Sequence, residues 1–581
     1  MDIQTKETST DQTPLKPSLL QDLFAKVNIH IPNPPSYLKS RWLIYTLTLL
    51  AVAVDALNTA GSLTLIPSLA NAFPYVPLTT ISWAFSAYAL TLGAFIIITG
   101  KFCDLVGTRE MFISGVIGMG ISVLICGFIK DRIIILIVFR GLQGMLGSVL
   151  IPASFTITTY YYEDPVELEF ACKLMTIAIE ISAGVGLIIA GAFTELKHTA
   201  GFRAFYWFSA GISLSSGLGL LWIMDPIHSD HKLEEYEKGE EMSLKDLDYG
   251  GSLLLVAGLI LVIYGITKGG DANWKDTGSI VCLVVGFFVV FMVAVFEMWY
   301  VQRYKDSHQN SVNHSDWRMR LNLLFPRELL HIPNFIQYLI CTFLLYLAFV
   351  CTLSLTLQFN VYVVSMTPFQ AALRTISLTG GQLLITFCYS ETWMRWIGVR
   401  KSLVLSCVIC LGSTIWLSKV DPVKAHSFWI FEFASQLVLG VGINYYFMIY
   451  MNHILSKTPL HLQGLVAGVM QTMGQIGVSI GNAVIACILG EMKQNPSMSR
   501  EQQNAAKKKF QKGFYVNIAA FALMTIVCSF ITSPAEEDAE KEKHLEDSAT
   551  STADTITREV ITESDAAKNE KCQITVSSIV V

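Results

Sequence analysis

Apolar residues come in long blocks along this chain, and short polar stretches separate them. Fourteen blocks are long enough to cross a bilayer as helices, at roughly 43–66, 79–99, 110–129, 133–158, 173–194, 204–224, 249–267, 278–300, 334–356, 369–390, 402–418, 427–451, 463–489 and 513–533. Each approaches the ~20 residues that ~30 Å of hydrocarbon requires at 1.5 Å per residue. They are numbered here span 1 to span 14. The pattern predicts an all-α polytopic membrane protein. Residues 1–41 are polar and Pro-bearing, and 534–581 are rich in Ser, Thr, Glu and Lys. Both are expected to be disordered tails, too poor in apolar side chains to fold alone. No cleavable signal peptide is expected, so span 1 directs insertion.

Lys and Arg collect in loops that follow even-numbered spans, among them Lys101, Arg109, Arg303, Lys305, Arg327, Arg395, Arg400 and Lys401. The loops after spans 1 and 9 have none. Cationic loops stay cytoplasmic, so both termini are expected in the cytoplasm of a multi-pass protein. The stretch 491–512, with Lys507, Lys508, Lys509 and Lys512, runs against this pattern. Asp104-x-x-Gly107-x-Arg109 follows span 2, and Arg395-x-x-Gly398-x-Arg400 follows span 10. The repeat predicts two six-helix bundles, 42–224 and 334–533. Spans 7 and 8 would be an inserted pair within 225–302, and 303–333 a cytoplasmic loop.

Composition changes this picture little. The chain is 52% hydrophobic and 15% charged, against about 25% charged in a soluble domain. A net charge of −5 offers no basic surface for nucleic acid. The twelve cysteines are scattered through apolar blocks without metal or disulfide spacing, as small core residues would be. There is no phosphate loop, metal-ligand cluster or nucleophile motif. An enzyme, an ATP-driven pump and any cofactor are therefore not expected.

The stretch Gly100-Lys101-Phe102-Cys103-Asp104-Leu105-Val106-Gly107-Thr108-Arg109 joins spans 2 and 3. It resembles the signature of the major facilitator superfamily, Gly-x-x-x-Asp-x-x-Gly-x-Arg, with Gly100, Asp104, Gly107 and Arg109 all matching. Ser82 to Leu90 in span 2 resembles that superfamily's fourteen-spanner drug:proton antiporter branch. So do Arg140-Gly141-Leu142-Gln143-Gly144-x-x-Gly147 in span 4, Asp248-Tyr249-Gly250-Gly251 opening span 7, and Gln370 to Arg374 opening span 10. Within the branch the chain looks most like the fungal aminotriazole/boron-resistance and ammonium-facilitator group. The resemblance implies a major facilitator fold of two six-helix bundles plus two inserted helices. It also implies that the loop holding Asp104 and Arg109 gates alternating access through contacts between halves and with helix ends. One segment departs from the branch. Span 5 reads Ser182-Ala183-Gly184-Val185-Gly186-Leu187-Ile188-Ile189-Ala190-Gly191, with Leu187 where the antiporter motif has proline. Gly184, Gly186 and Gly191 keep the close-packing role, but the kink-former is gone.

Ionisable groups at bilayer depth cost several kcal/mol and need a partner or a wet cavity. Asp55 lies about twelve residues into span 1, roughly 18 Å from the inner face. Arg140 lies about seven residues into span 4 from the outer side, roughly 10 Å deep. The two are expected to pair. Glu180, in span 5, is a second acid within reach of Arg140. Asp55, Arg140 and Glu180 are the candidate groups for proton coupling and substrate binding. Glu297, Glu391 and Glu432 sit near span ends, where snorkelling suffices. Trp83, Tyr88, Tyr445 and Tyr446 are candidate cavity aromatics, though membrane aromatics more often pack or sit at interfaces.

The expected function is proton-coupled export of small toxic solutes or drugs by alternating access. The expected partners are a small-molecule substrate, protons and the lipid bilayer, and the protein is expected to act as a monomer. The expected location is the plasma membrane, or else a vacuolar or other internal membrane. The missing span-5 proline leaves a facilitator for a small solute such as ammonium or borate as the alternative. A non-transporting membrane sensor is the reading from another class.

Overall fold

The computed structural model describes residues 34–35, 38–162, 164–196, 201–225, 248–271, 275–308, 323, 327–390, 396–421, 427–458, 460–490 and 500–532. Every regular element among them is helical, as backbone groups in hydrocarbon demand. Thirteen of these helices are long and apolar enough to cross a membrane. They are span 1 (Arg41–Ala72), span 2 (Leu78–Gly100), span 3 (Thr108–Phe128), span 4 (Ile133–Tyr161), span 5 (Val166–Thr194), span 6 (Gly201–Ile223) and span 7 (Tyr249–Ile266). The others are span 8 (Thr277–Lys305), span 9 (Phe335–Tyr362), span 11 (Val399–Leu417), span 12 (Phe428–Lys457), span 13 (Leu462–Leu489) and span 14 (Asn504–Ser529). Span 10 is present in two pieces, Pro368–Arg374 and Ile376–Cys388, which meet at Thr375. Thr367 and Gln370 form a reciprocal capping box with Pro368 at the first helical position, so this helix starts where its sequence says it should.

Three departures from the sequence pattern have local causes. The stretch 100–109 is almost all helix. Span 2 continues to Val106 and the next helix starts at Thr108, so the connection is Gly107 alone, at φ +124°. Only glycine adopts that conformation without strain. Span 14's helix begins at Arg500. The lysines at 507–512 therefore ride on a helix that runs past the apolar stretch, and Lys507 pairs with Asp421 at 3.4 Å. Spans 8 and 12 each carry a one-turn π-helix, Phe296–Val301 and Phe428–Phe433. Glu297 and Glu432 lie in those turns and are buried. They do not snorkel as their positions near span ends suggested. Glu391 and Arg395 lie outside the described residues.

Packing repeats with a shift of eight spans. Span 1 packs on span 5, span 3 on span 6 and span 2 on span 4; likewise span 9 packs on span 13, span 11 on span 14 and span 10 on span 12. The halves meet where span 2 lies on span 13 and span 5 on span 10, while spans 7 and 8 pair and span 7 leans on spans 13 and 2. Small residues make these approaches possible. A Cβ at Gly93 would lie 2.5 Å from Gln475 Cβ, and one at Gly191 would lie 2.7 Å from Phe369 Cα. Spans 10 and 12 touch through a reciprocal pair. A Cβ at Gly381 would strike the Leu437 carbonyl, and one at Gly440 the Leu378 carbonyl.

That pair gives a direct check. Gly440→Ala should lower thermal stability by an overpacking cost of about 1–3 kcal/mol, despite alanine's better helix propensity. Gly412→Ala, with nothing within 4 Å of the new Cβ, should leave the melting temperature unchanged or raise it. Melting curves of the two purified variants in one detergent decide the matter.

Candidate transport pathway and its polar clusters

A cavity of about 1450 Å³ lies between the halves and opens at the end of the molecule that carries Gly100, Cys103, Lys173 and Lys305. Its lining stops at Ile96, Ile151, Ala183, Phe349, Gln382 and Ile443. Beyond that level the halves are zipped together. Asn482 Nδ2 donates to Ser86 Oγ at 2.9 Å, and Thr472 Oγ1 donates to the Gly93 carbonyl at 2.7 Å. Gly184 faces Thr379 and Gly191 faces Phe369 on span 10, whereas Gly186 faces span 1, where its Cβ would lie 2.6 Å from the Leu57 carbonyl oxygen. The span-5 glycines thus serve two different neighbours.

Glu180 is brought into this cavity, near its blind end. Its carboxylate accepts the Thr386 hydroxyl of span 10 at 3.1 Å, and Thr386 Oγ1 accepts Asn444 Nδ2 of span 12 at 2.6 Å. One N-half acid therefore touches the C-half. Neither Thr386 nor Asn444 was singled out by the sequence reading. The available signal was polar residues inside apolar spans, with Gln382 and Thr386 four apart on one helical face.

Asp55 and Arg140 are placed elsewhere. Both are buried and neither lines the cavity, whose wall on span 4 begins at Ile151. They do not form the expected ion pair. Tyr88 of span 2 stands between them, donating its hydroxyl to Asp55 Oδ1 while its ring lies 4.5 Å from the Arg140 guanidinium carbon. Arg140 instead donates to the Ala84 carbonyl at 2.8 Å, Gln143 Oε1 at 2.6 Å and Ser62 Oγ at 2.8 Å. This fixed fork of donors, plus a cation–π contact, replaces lost hydration. The span-4 motif supplies the room. Gly144 abuts the Tyr88 carbonyl, and a Cβ at Gly147 would lie 2.9 Å from Asp55 Oδ1.

Of the other candidate aromatics, Trp83 packs against Tyr264, Tyr445 against Tyr389, and Tyr446 is buried beside Cys528. The cavity's aromatics are Phe155, Tyr346, Phe349, Tyr389 and Phe447. A third polar cluster was missed because its members lie 72 residues apart. Asn360 Nδ2 donates to Glu432 Oε1 at 2.6 Å, and Arg374 Nη1 donates to Glu432 Oε2 at 3.2 Å. It joins spans 9, 10 and 12.

The two repeated loops do equivalent work. Arg109 Nε donates to the Met224 carbonyl at 2.6 Å and its Nη2 to the Leu221 carbonyl at 3.2 Å, at the end of span 6. Arg400 Nη2 reaches the Ser529 carbonyl at 2.5 Å, at the end of span 14. Each arginine follows a glycine of positive φ, Gly107 or Gly398. Each meets unpaired carbonyls at the negative end of a helix dipole. Both contacts stay within one half. Gly100 lines the cavity mouth, and the Asp104 side chain lies outside the described residues.

A model of the Major Facilitator Superfamily matches residues 48–482. The chain is similar to a tetracenomycin C resistance and export protein of Streptomyces glaucescens, 22% identical over 76% of this chain and 75% of that one. It is similar to a puromycin resistance protein of Streptomyces alboniger, 23% identical over 70% and 74%. A multidrug transporter of Aspergillus fumigatus is 22% identical over 78% and 73%. Among solved structures, a proton dependent oligopeptide transporter superposes with a TM-score of 0.52 at 10% identity, covering 84% of this chain and 97% of that chain. That last likeness speaks for the fold alone.

Removing only the Tyr88 hydroxyl isolates the bridge. Tyr88→Phe keeps the ring on Arg140 but strips Asp55 of its donor. It should cost about 1–3 kcal/mol, the penalty of an unsatisfied buried group. Thermal unfolding measures it, and an unchanged melting temperature would show the hydroxyl to be dispensable.

Proposed function

The chain belongs to the major facilitator superfamily, and from that membership we propose a proton-coupled secondary transporter that exports small toxic solutes by alternating access. One observation carries the reading. The cavity between the halves is open at one end and closed at the other by two glycine-lined seams. Such an arrangement turns into its opposite when the halves rock about those seams. The lysines and arginines around the open end favour the cytoplasmic side by the positive-inside rule, so this conformation faces inward. Resistance and export are what the similar bacterial and fungal proteins are named for.

Asp55 is the proposed proton carrier. Buried carboxylates lose charge readily, and a nearby arginine opposes that loss. Tyr88 ties Asp55 to Arg140 without direct pairing, so a small shift of span 2 changes both influences together. Glu180 is the proposed cavity acid, and Arg109 with Asp104 the proposed gating pair. We further assign the chain to the fourteen-span drug:proton antiporter branch, near its aminotriazole/boron-resistance and ammonium-facilitator members. We propose that it acts as a monomer in the plasma membrane with both termini in the cytoplasm. A gradient-independent facilitator is the second reading, favoured by the unbroken span-5 helix with Leu187 buried in it.

Solute flux in proteoliposomes, with and without an imposed pH gradient, separates the two. Coupling requires gradient-dependent flux in the native protein. Asp55→Asn should abolish the gradient-driven component while protein yield and monodispersity persist. Equal flux with and without the gradient would establish the facilitator instead, and undiminished driven flux in Asp55→Asn would remove that residue from the coupling path.

A further inference from the structure

We propose that the inserted pair, spans 7 and 8, is a lipid shield. Span 7 closes the seam of spans 2 and 13 toward the bilayer, so that the polar side chains of a parting seam meet water and not acyl chains. The inference rests on the rocking of the halves proposed above and gives a task to the two helices that stand outside both bundles.

The two seams differ in chemistry. The seam of spans 2 and 13 is polar. Ser82 and Ser86 on one side, and Thr472, Gln475, Ser479 and Asn482 on the other, are all buried. Besides its bond to Ser86 Oγ, Asn482 Nδ2 donates to the Ser82 carbonyl at 3.3 Å, and Ser479 Oγ donates to the Ser86 carbonyl at 3.4 Å. Gln475 abuts Gly93, and its Oε1 has no hydrogen-bond partner among the described residues. The seam of spans 5 and 10 is closed by packing. Among the described residues, the hydrogen bonds that cross it are those of Glu180 with Thr386, at the cavity. Beyond them Gly184 meets Thr379 and Gly191 meets Phe369. When helices part in a bilayer, acyl chains enter the gap. Hydrocarbon offers no hydrogen bond, so polar groups that lose a partner to it stay unsatisfied at a steep cost. Spans 5 and 10 already face outward with Ile181, Val185, Ile376 and Leu384 exposed, and lipid between them costs little. Lipid between spans 2 and 13 would cost every bond named above.

Span 7 lies where that loss would occur. It packs on both span 2 and span 13, and the inserted pair makes no comparable contact with spans 5 and 10 among the described residues. Two ring contacts bracket the polar seam. Phe102 meets Tyr249 at the mouth end, with centroids 6.2 Å apart, and Trp83, the neighbour of Ser82, meets Tyr264 at the closed end, at 6.4 Å. Between the two tyrosines, Leu255, Val256, Leu259 and Ile263 recur at helical spacing and are buried in the core that the halves share. Aliphatic side chains compete for none of the seam's hydrogen bonds. A helix about 10 Å across, held at both ends, cannot follow parting backbones into a gap as an acyl chain does. Span 8 backs span 7 at close range, since a Cβ at Gly265 would lie 2.8 Å from the Leu283 amide nitrogen. Its Phe287, Phe288 and Phe291 are exposed, so span 8 takes the lipid contact that span 7 keeps from the seam.

The test is photolabelling of the full-length protein in nanodiscs that contain a phosphatidylcholine with a diazirine on one acyl chain, read residue by residue by mass spectrometry. In the native protein Val185 and Leu384 should be labelled, while Ser86, Ser479 and Asn482 stay at background. Tyr249→Ala with Tyr264→Ala removes both bracketing contacts, and both side chains are partly exposed, so the chain should still fold. In that variant the label at Ser86, Ser479 and Asn482 should rise to the level read at Val185. Tyr264→Ala alone, the milder change, should raise it at Ser86 and Asn482, near Trp83. Asn517 and Thr352, bonded to each other inside one half, should stay unlabelled throughout. Phe288→Ala, on the lipid face of span 8, should leave the pattern of the native protein. Label on the seam of the native protein, or an unlabelled seam in the folded variants, overturns the proposal. So does label at Asn517 and Thr352, the sign of general loosening. The transport reading fails separately. Mediated flux by the native protein, with the seam unlabelled in the folded variants, would keep the exporter and discard the shield. Seam labelling in the variants, with no mediated flux by the native protein, would do the reverse.

Discussion

Everything in this molecule depends on how closely two backbones can approach across the divide between the halves. Where span 2 meets span 13 and span 5 meets span 10, glycine removes the side chain that would hold the helices apart. The halves can then touch along their backbones and share direct hydrogen bonds. Helices tilted against one another cannot stay that close along their whole length. Tight contact at one end of the seam forces separation at the other, and the cavity is that separation. The cavity is thus the geometric counterpart of the seams and needs no other cause.

Buried charge is handled in the same local way in both halves. Arg140 on span 4 and Glu432 on span 12 occupy comparable places, 33 and 34 residues after the glycines at 107 and 398. They carry opposite charge. Each is satisfied inside its own half, Arg140 by a carbonyl, an amide, a hydroxyl and the Tyr88 ring, and Glu432 by Asn360 and Arg374. Neither charge is spent on holding the halves together. The buried acid that does reach across, Glu180, meets Thr386, an uncharged donor on a charged acceptor, which breaks more readily than an ion pair in a dry site.

The helical blocks were legible in the sequence because hydrocarbon leaves a chain few choices. The repeat of Gly107-x-Arg109 in Gly398-x-Arg400 was legible because each loop has the same backbone task. Side-chain partners were far less so. Asp55 and Arg140 were rightly seen as buried charges that need satisfying, yet depth along a helix says nothing about azimuth, and Tyr88 fills the angle between them. Glu297 and Glu432 looked like surface acids because distance from a helix end was the only available measure. The π-turns that swing them inward leave no mark in hydropathy. Thr386 and Asn444 were hidden for a related reason, since a hydroxyl or an amide in an apolar span is unremarkable until its neighbour proves to be a carboxylate.

The arginines after Gly107 and Gly398 have a history that the finished fold conceals. In a chain still emerging, each is a loop cation, hydrated and free to be held back at the membrane surface, the kind of residue from which a helical hairpin takes its orientation. In the folded protein the same guanidinium groups have withdrawn from that surface and lie against the closing carbonyls of span 6 and span 14. A residue type that the positive-inside rule reads as a signal of direction is held in this fold as a clasp. The clasp cannot close until the sixth helix of its half has been delivered, so each half carries its own record that assembly is complete.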